Sequence, residues 1–272
     1  MSDPADNVRP AAPSVLEGVL ARDRLAVVAG LVGAIALSWF YLVPVSRDMY
    51  GAMDGLSAWM MAGTWDGRYF LLIFMMWAVM MIGMMLPSAA PTALLFATVV
   101  RKSDPENAPV ARTYAFAGGY LLAWTAFSFA ATLLQWGLAK TALLSPMMTL
   151  TSSTVGVLLL MAAGVYQWTP LKQSCLTRCR APADFITRYW RPGVAGALRM
   201  GAWHGIYCVG CCWVLMLLLF LGGVMSLIWI AAITVFVLLE KLAPRGAQGG
   251  RLSGVLLLLA GFVLLLLKLR GS

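Results

Sequence analysis

Between Tyr69 and Val100 the chain runs for 32 residues without one charged side chain. That exceeds the roughly 20 apolar residues needed to cross a hydrocarbon core of about 30 Å. Further runs follow the same pattern at 25–45, 113–137, 151–169, 197–221, 224–239 and 252–267. Apolar residues make up 61% of the chain and charged ones 11%, against about 25% charged in soluble domains. So little polar surface cannot cover a water-soluble globule. The reading is an all-α, polytopic transmembrane bundle of about seven spans. Residues 1–24 form a polar cytoplasmic tail, and 25–272 form a single membrane domain. The first run is too long for a cleaved signal. Pro87 and Pro91 predict a kink in the second span.

Charge sets the expected orientation. With the N-terminus inside, 15 of the 20 Lys and Arg fall on cytoplasmic segments, most densely at 171–195. The net charge of +9 then reports topology and contact with anionic lipid, not nucleic acid. The implied setting is a membrane with the N-terminus on its cytoplasmic side. The outer segment 46–68 carries Met49, Met53, Trp59, Met60, Met61 and Trp65, which suits a short helix at the lipid headgroups.

Sulfur is concentrated. All five Cys lie between positions 175 and 212, and the one His is among them. At about 100° per residue, His204, Cys208 and Cys211 share one helical stripe, with Cys212 at its edge and Met200 one turn before it. Cys175 and Cys179 fall i, i+4 in the basic loop, on one face of a short helix. In the second span Met76, Met80 and Met84 repeat every four residues, beside Trp77 and Met81. Thiolates and thioethers select Cu(I) and other soft ions. Helical rise places Met80 and Cys208 at similar depth, within about one turn. Ala197, Gly201 and Gly205 form a small-residue row where another helix approaches closely.

Plainer readings stand beside these. A Met stripe in a membrane helix is more often packing than ligation. Cys212 is readily a small apolar residue, His204 a donor to a carbonyl, and the loop arginines topology signals. Glu240 and Lys241 read as an interfacial pair at a helix end.

Three strings are similar to those of a known family: MMWAVMMIGMMLPSAAP (75–91), YQWTPLKQSCLTRCRAP (166–182) and GIYCVGCCWVLM (205–216). They resemble a bacterial family of uncharacterised integral membrane proteins, predicted to bind metal and often described as copper chaperones. The resemblance covers roughly 69–221 and leaves the N-terminal tail and outer loop without a pattern. It implies metal ligation by Met80, Met81, Met84, Met85, Cys175, Cys179, Cys211 and Cys212.

The leading expectation is a membrane protein that binds Cu(I), or a similar soft ion, for copper handling or delivery to a copper-protein partner. Its ligands would come from His204, Cys208, Cys211, Cys212, Cys175, Cys179, Met80, Met81, Met84 and Met85. The alternatives are a membrane thiol redox protein or sensor, and a non-catalytic assembly subunit. Hydrolytic chemistry is disfavoured, because no carboxylate lies within an expected span.

Overall fold

The computed structural model describes residues 15–51, 55–61, 65–103 and 109–271. Eleven helices follow in order: α1 (Val15–Met49), α2 (Leu56–Met61), α3 (Gly67–Ser103), α4 (Pro109–Lys140), α5 (Ser153–Tyr166), α6 (Pro170–Arg180), α7 (Pro182–Tyr189), α8 (Gly193–Leu217), α9 (Leu219–Gly222), α10 (Leu227–Leu242) and α11 (Gly246–Gly271). Among the described residues there is no strand. The start of the polar tail and Met53 lie outside the described residues.

Five helical stretches are long and apolar enough to cross a membrane: Leu25–Met49, Gly67–Ser103, Pro109–Lys140, Gly193–Gly222 and Gly246–Arg270. The count rises to six if α5 and α6 together form one bent span. The fourth expected span is interrupted: α5 and α6 meet at 62°. Pro170 cannot donate a helical hydrogen bond, and Thr169 caps the new helix, its side chain accepting from the Lys172 N–H. The sixth is α10, only 16 residues. At 1.5 Å per residue that is about 24 Å, short of a hydrocarbon core. Conversely, α1 begins at Val15, a few turns before the apolar run.

Prolines punctuate the middle of the chain. Pro170 and Pro182 open α6 and α7, and Pro192 precedes α8. By contrast, α3 continues through Pro87 and Pro91 as one helix. Pro87 deprives the Gly83 carbonyl of its helical donor, and the Trp39 indole of α1 supplies one at 3.2 Å. A tertiary contact thus repairs the ladder where the sequence opens it.

The closest packing is between α4 and α8. A Cβ on Gly201 would lie 1.9 Å from the Phe116 carbonyl oxygen, and one on Gly119 equally near that of Leu198. Gly205 meets the Tyr120 carbonyl in the same row. The expected row Ala197, Gly201, Gly205 therefore faces α4, where only small residues let backbones touch. On its other side α8 meets α6: the Cys175 sulfur lies 2.7 Å from where a Gly210 Cβ would stand. The first three long helices pack as neighbours, α3 between α1 and α4, while α11 lies mainly on α5.

Candidate metal centre

The thiols of α8 project from one stretch of helix. Cys208, Cys211 and Cys212 are all at most 1% exposed. Cys211 and Cys212 donate back to the Cys208 carbonyl at 3.1 and 2.9 Å, which holds both thiols close to the helix. Across the gap, α6 contributes Cys179, whose thiol interacts with those of Cys208 and Cys211. Cys212 interacts with the same two. The three buried thiols of α8 and the half-buried thiol of Cys179 thereby form one cluster from two helices. All five cysteines are free. Cys175, one turn before Cys179, is buried against Gly210. The i, i+4 spacing does place both on α6, but Cys179 joins the α8 thiols rather than standing apart in a loop.

Cys208 is the hub. Its sulfur lies 2.8 Å from the Lys241 ammonium of α10 and 3.0 Å from the Tyr120 hydroxyl of α4. Lys241 also donates to Ser88 Oγ at 3.0 Å. Ser88 and Tyr120 in turn donate to the Met85 carbonyl at 2.8 and 3.0 Å. An ammonium against a sulfur complements the negative charge of a thiolate, the form that binds metal. A buried lysine without such a partner would carry a large desolvation cost.

His204 sits one turn before Cys208. Its ring is 3% exposed and lies among Phe116, Tyr120 and Phe185, with centroids 5.9, 5.8 and 5.1 Å away. Its Nδ1 has no hydrogen-bond partner among the described residues. That contradicts the plain reading of His204 as a donor to a carbonyl through this nitrogen. An orphaned buried imidazole nitrogen has spare lone-pair capacity, as a ligand would need.

The methionines of α3 are in the core: Met76, Met80, Met81, Met84 and Met85 are each at most 1% exposed. They do not face lipid. The depth expectation paired Met80 with Cys208. In the structure the α3 residues linked to Cys208 are Met85 and Ser88, five and eight positions further along. That displacement is roughly 7–12 Å of helical rise. The link runs through Tyr120 and Lys241, because α4 and α10 pack between α3 and α8.

Among the described residues, no three His, Cys, Asp or Glu side chains already surround one point as a closed metal-ligand set. What stands there is a set of uncrosslinked soft donors, all buried except Cys179, with the Lys241 ammonium on the Cys208 sulfur. Cu(I) accepts as few as two sulfur ligands, so a thiol pair suffices for it.

The match to known families bears on this chemistry. The family model described as PpoB2, copper chaperone, covers residues 74–264. The chain belongs to that family. The matched stretch takes in most of α3, all of α4 to α10, and most of α11, so every thiol, His204 and the Met run fall inside it. No curated protein and no solved structure matches the chain.

Sequence reasoning missed Lys241, Glu240 and Lys172. Glu240 and Lys241 do stand in the last turn of α10, but both are buried against protein, at 2% and 6% exposed. They point to different partners: Lys241 to Cys208, and Glu240 to Lys172, whose ammonium reaches its two carboxylate oxygens at 2.8 and 2.9 Å. Arg180 donates to the carbonyls of Glu240, Ala243 and Pro244, capping the end of α10. These contacts tie α6 to α10 and so fix where Cys179 stands. The signal was present in the shortness of the sixth apolar run, 224–239, which ends directly at a charged pair.

Proposed function

We propose that this chain is a membrane protein that binds a soft metal ion, in the first place Cu(I), and passes it to a copper-protein partner. The ion is the cargo. Cys179, Cys208, Cys211 and Cys212 hold it as thiolates, with His204 as a further donor. Met80, Met81, Met84 and Met85 offer weaker thioether positions along α3, and Cys175 stands behind the thiol set on α6. Exchange between thioether and thiolate lets an ion move without a step into bare hydrocarbon, where an unpaired charge is costly. Lys241 balances the excess negative charge of two or more thiolates around a monovalent cation. Residues 25–272 form one membrane domain with the N-terminus and 171–195 on the cytoplasmic side of a bacterial inner membrane.

The observation that supports this reading is the gathering of four free thiols, three buried on α8 and the half-buried Cys179 of α6, beside an ammonium. A packing role needs neither the second helix's thiol nor a buried lysine on the sulfur. The test is metal content after anaerobic purification of the full chain with Cu(I). Wild type retains copper, and the Cys208→Ser, Cys211→Ser, Cys212→Ser variant retains much less at equal folded yield. Equal copper in both overturns the assignment.

A further inference from the structure

The helix that carries Cys179 is held differently from the one that carries the other thiols. α8 runs unbroken for 25 residues, whereas α6 has only 11 and follows the 62° break after α5. The near side of that break is anchored on α8, where the Tyr166 hydroxyl donates to the Gly210 carbonyl. The far side is fastened to α10, by Lys172 on Glu240 and by Arg180 on the carbonyls of Ala243 and Pro244. Toward α8, α6 sets Cys175 against Gly210, a position with no side chain to interlock. Cys179 is the half-buried member of a thiol set whose α8 members are at most 1% exposed.

Between the anchored and the fastened side stands Gln167. It is 0% exposed, and neither its amide nitrogen nor its amide oxygen has a hydrogen-bond partner among the described residues. The other buried glutamine among the described residues, Gln135, accepts from the Trp77 indole at 2.7 Å. The surroundings explain the difference. α11 covers Gln167 with Gly254, whose absent Cβ would stand 2.8 Å from the Gln167 Cβ, and a glycine offers no side-chain partner. α6 covers it with Gln173, whose amide is spent on the Gln167 carbonyl at 3.0 Å. Sealing a whole carboxamide from water without a bond is costly, and native structures rarely do it. The cost falls on the arrangement seen here and is relieved by any movement of α6 that lets water in. Hinges are a few residues at element ends, which is where Gln167, Trp168 and Thr169 lie.

We propose that α6 is a hinged arm, which turns about residues 167–169 and carries Cys179 with its ion between the α8 thiols and the surface. It rests on the reading of the thiol cluster as a soft-ion site and supplies that site's exit. As the arm opens, the ion keeps its bond to Cys179, loses its bond to an α8 thiolate and gains one to a thiolate of the acceptor protein. Charge and coordination number are conserved, so the ion never stands bare in an apolar medium. The three α8 thiols are too deeply buried for an acceptor to reach, and the arm removes that barrier.

The test follows maleimide labelling of each thiol in the full, metal-free chain in lipid nanodiscs, resolved by peptide mass. Gln167→Leu keeps the bulk and removes the orphaned groups, so it should hold the arm closed. We expect Cys179 labelling to slow by on the order of tenfold, with Cys208, Cys211 and Cys212 unchanged and the unfolding temperature no lower. Arg180→Gln loses the contacts to the α10 carbonyls and should quicken labelling at Cys179 by a similar factor. In the Ag(I)-loaded chain, release to a soluble thiol should slow and quicken in the same two variants at unchanged bound stoichiometry. Cys179 labelling that changes in neither variant, or that moves together with the α8 thiols, overturns the arm and leaves the thiol site standing. Labelling that shifts as expected in a chain that binds no Ag(I) refutes instead the reading of the cargo, and with it the arm's role in release. If Gln167→Leu does not fold, Gln167→Met and Arg180→Gln decide by the same criteria.

Discussion

Two helical segments of almost equal hydropathy have opposite fates. The stretch Gly193–Gly222, which holds α8, has a mean hydropathy of 2.3, and Gly246–Arg270 in α11 has 2.5. Yet 56% of the first apolar window is buried and only 11% of the second. Hydropathy therefore identifies a helix suited to lipid but not the helix around which the others gather. Inside a bilayer, burying apolar surface against protein gains little over burying it in lipid, so small residues and polar contacts decide which faces meet. Along α8 those are Ala197, Gly201 and Gly205 on one side, and Cys208, Cys211 and Cys212 on another. Most of α11 offers Leu and Val to its surroundings, with Leu256, Leu259 and Leu267 more than half exposed.

The largest effect that would break this contrast lies at Gly201. Gly201→Val places branched carbon against the Phe116 carbonyl, where no space exists, and should cost at least ~3 kcal/mol or abolish the fold. Folded yield and unfolding in mixed detergent measure it. If Gly201→Val behaves like wild type, the α4–α8 contact is misplaced. Next comes the ion pair that fastens α6 to α10. Glu240→Leu leaves Lys172 buried without its partner and should cost about 3–5 kcal/mol. The Lys172→Met, Glu240→Leu double variant should recover most of that loss, because it leaves no orphaned charge. A double variant as unstable as the single one would show that the charges themselves are needed. A smaller loss, about 1–3 kcal/mol, is expected for Trp77→Phe, which strands the buried Gln135 acceptor. At the quiet end, Gly249→Ala on α11 meets no atom within 4 Å and should be neutral, or stabilising by up to about 1 kcal/mol. A marked loss there would mean that α11 is packed on this side as well as on α5.

Much of this was legible before any coordinates. The small-residue row of α8, the helical pairing of Cys175 and Cys179, and the break at 222–223 between two apolar runs all follow from spacing. Gly223 indeed adopts φ of 93° and ends the segment. Other features were not legible, for physical reasons. A hydropathy count scores Gln167 to Thr169 as a minor dip, but Pro170 and a capping threonine turn the chain by 62° there. That turn lays α6 on α8 and brings Cys179 to Cys208. Lys241 looked like a charge at a membrane surface because a one-dimensional reading cannot tell that α10 is set among other helices. Helix lengths gave the depth of Met80 but not the identity of the helices between α3 and α8. The residues that link α3 to Cys208 are therefore Met85 and Ser88.

The central claim is that thiols from α6 and α8 close on one soft ion. X-ray absorption at the copper edge of the anaerobic Cu(I)-loaded protein tests it most directly, comparing wild type with Cys179→Ser and with Cys208→Ser. The account predicts a sulfur-dominated first shell in wild type that loses sulfur scattering in both variants, because the ligands span two helices. A first shell that contains no sulfur, or that is unchanged in both variants, contradicts it.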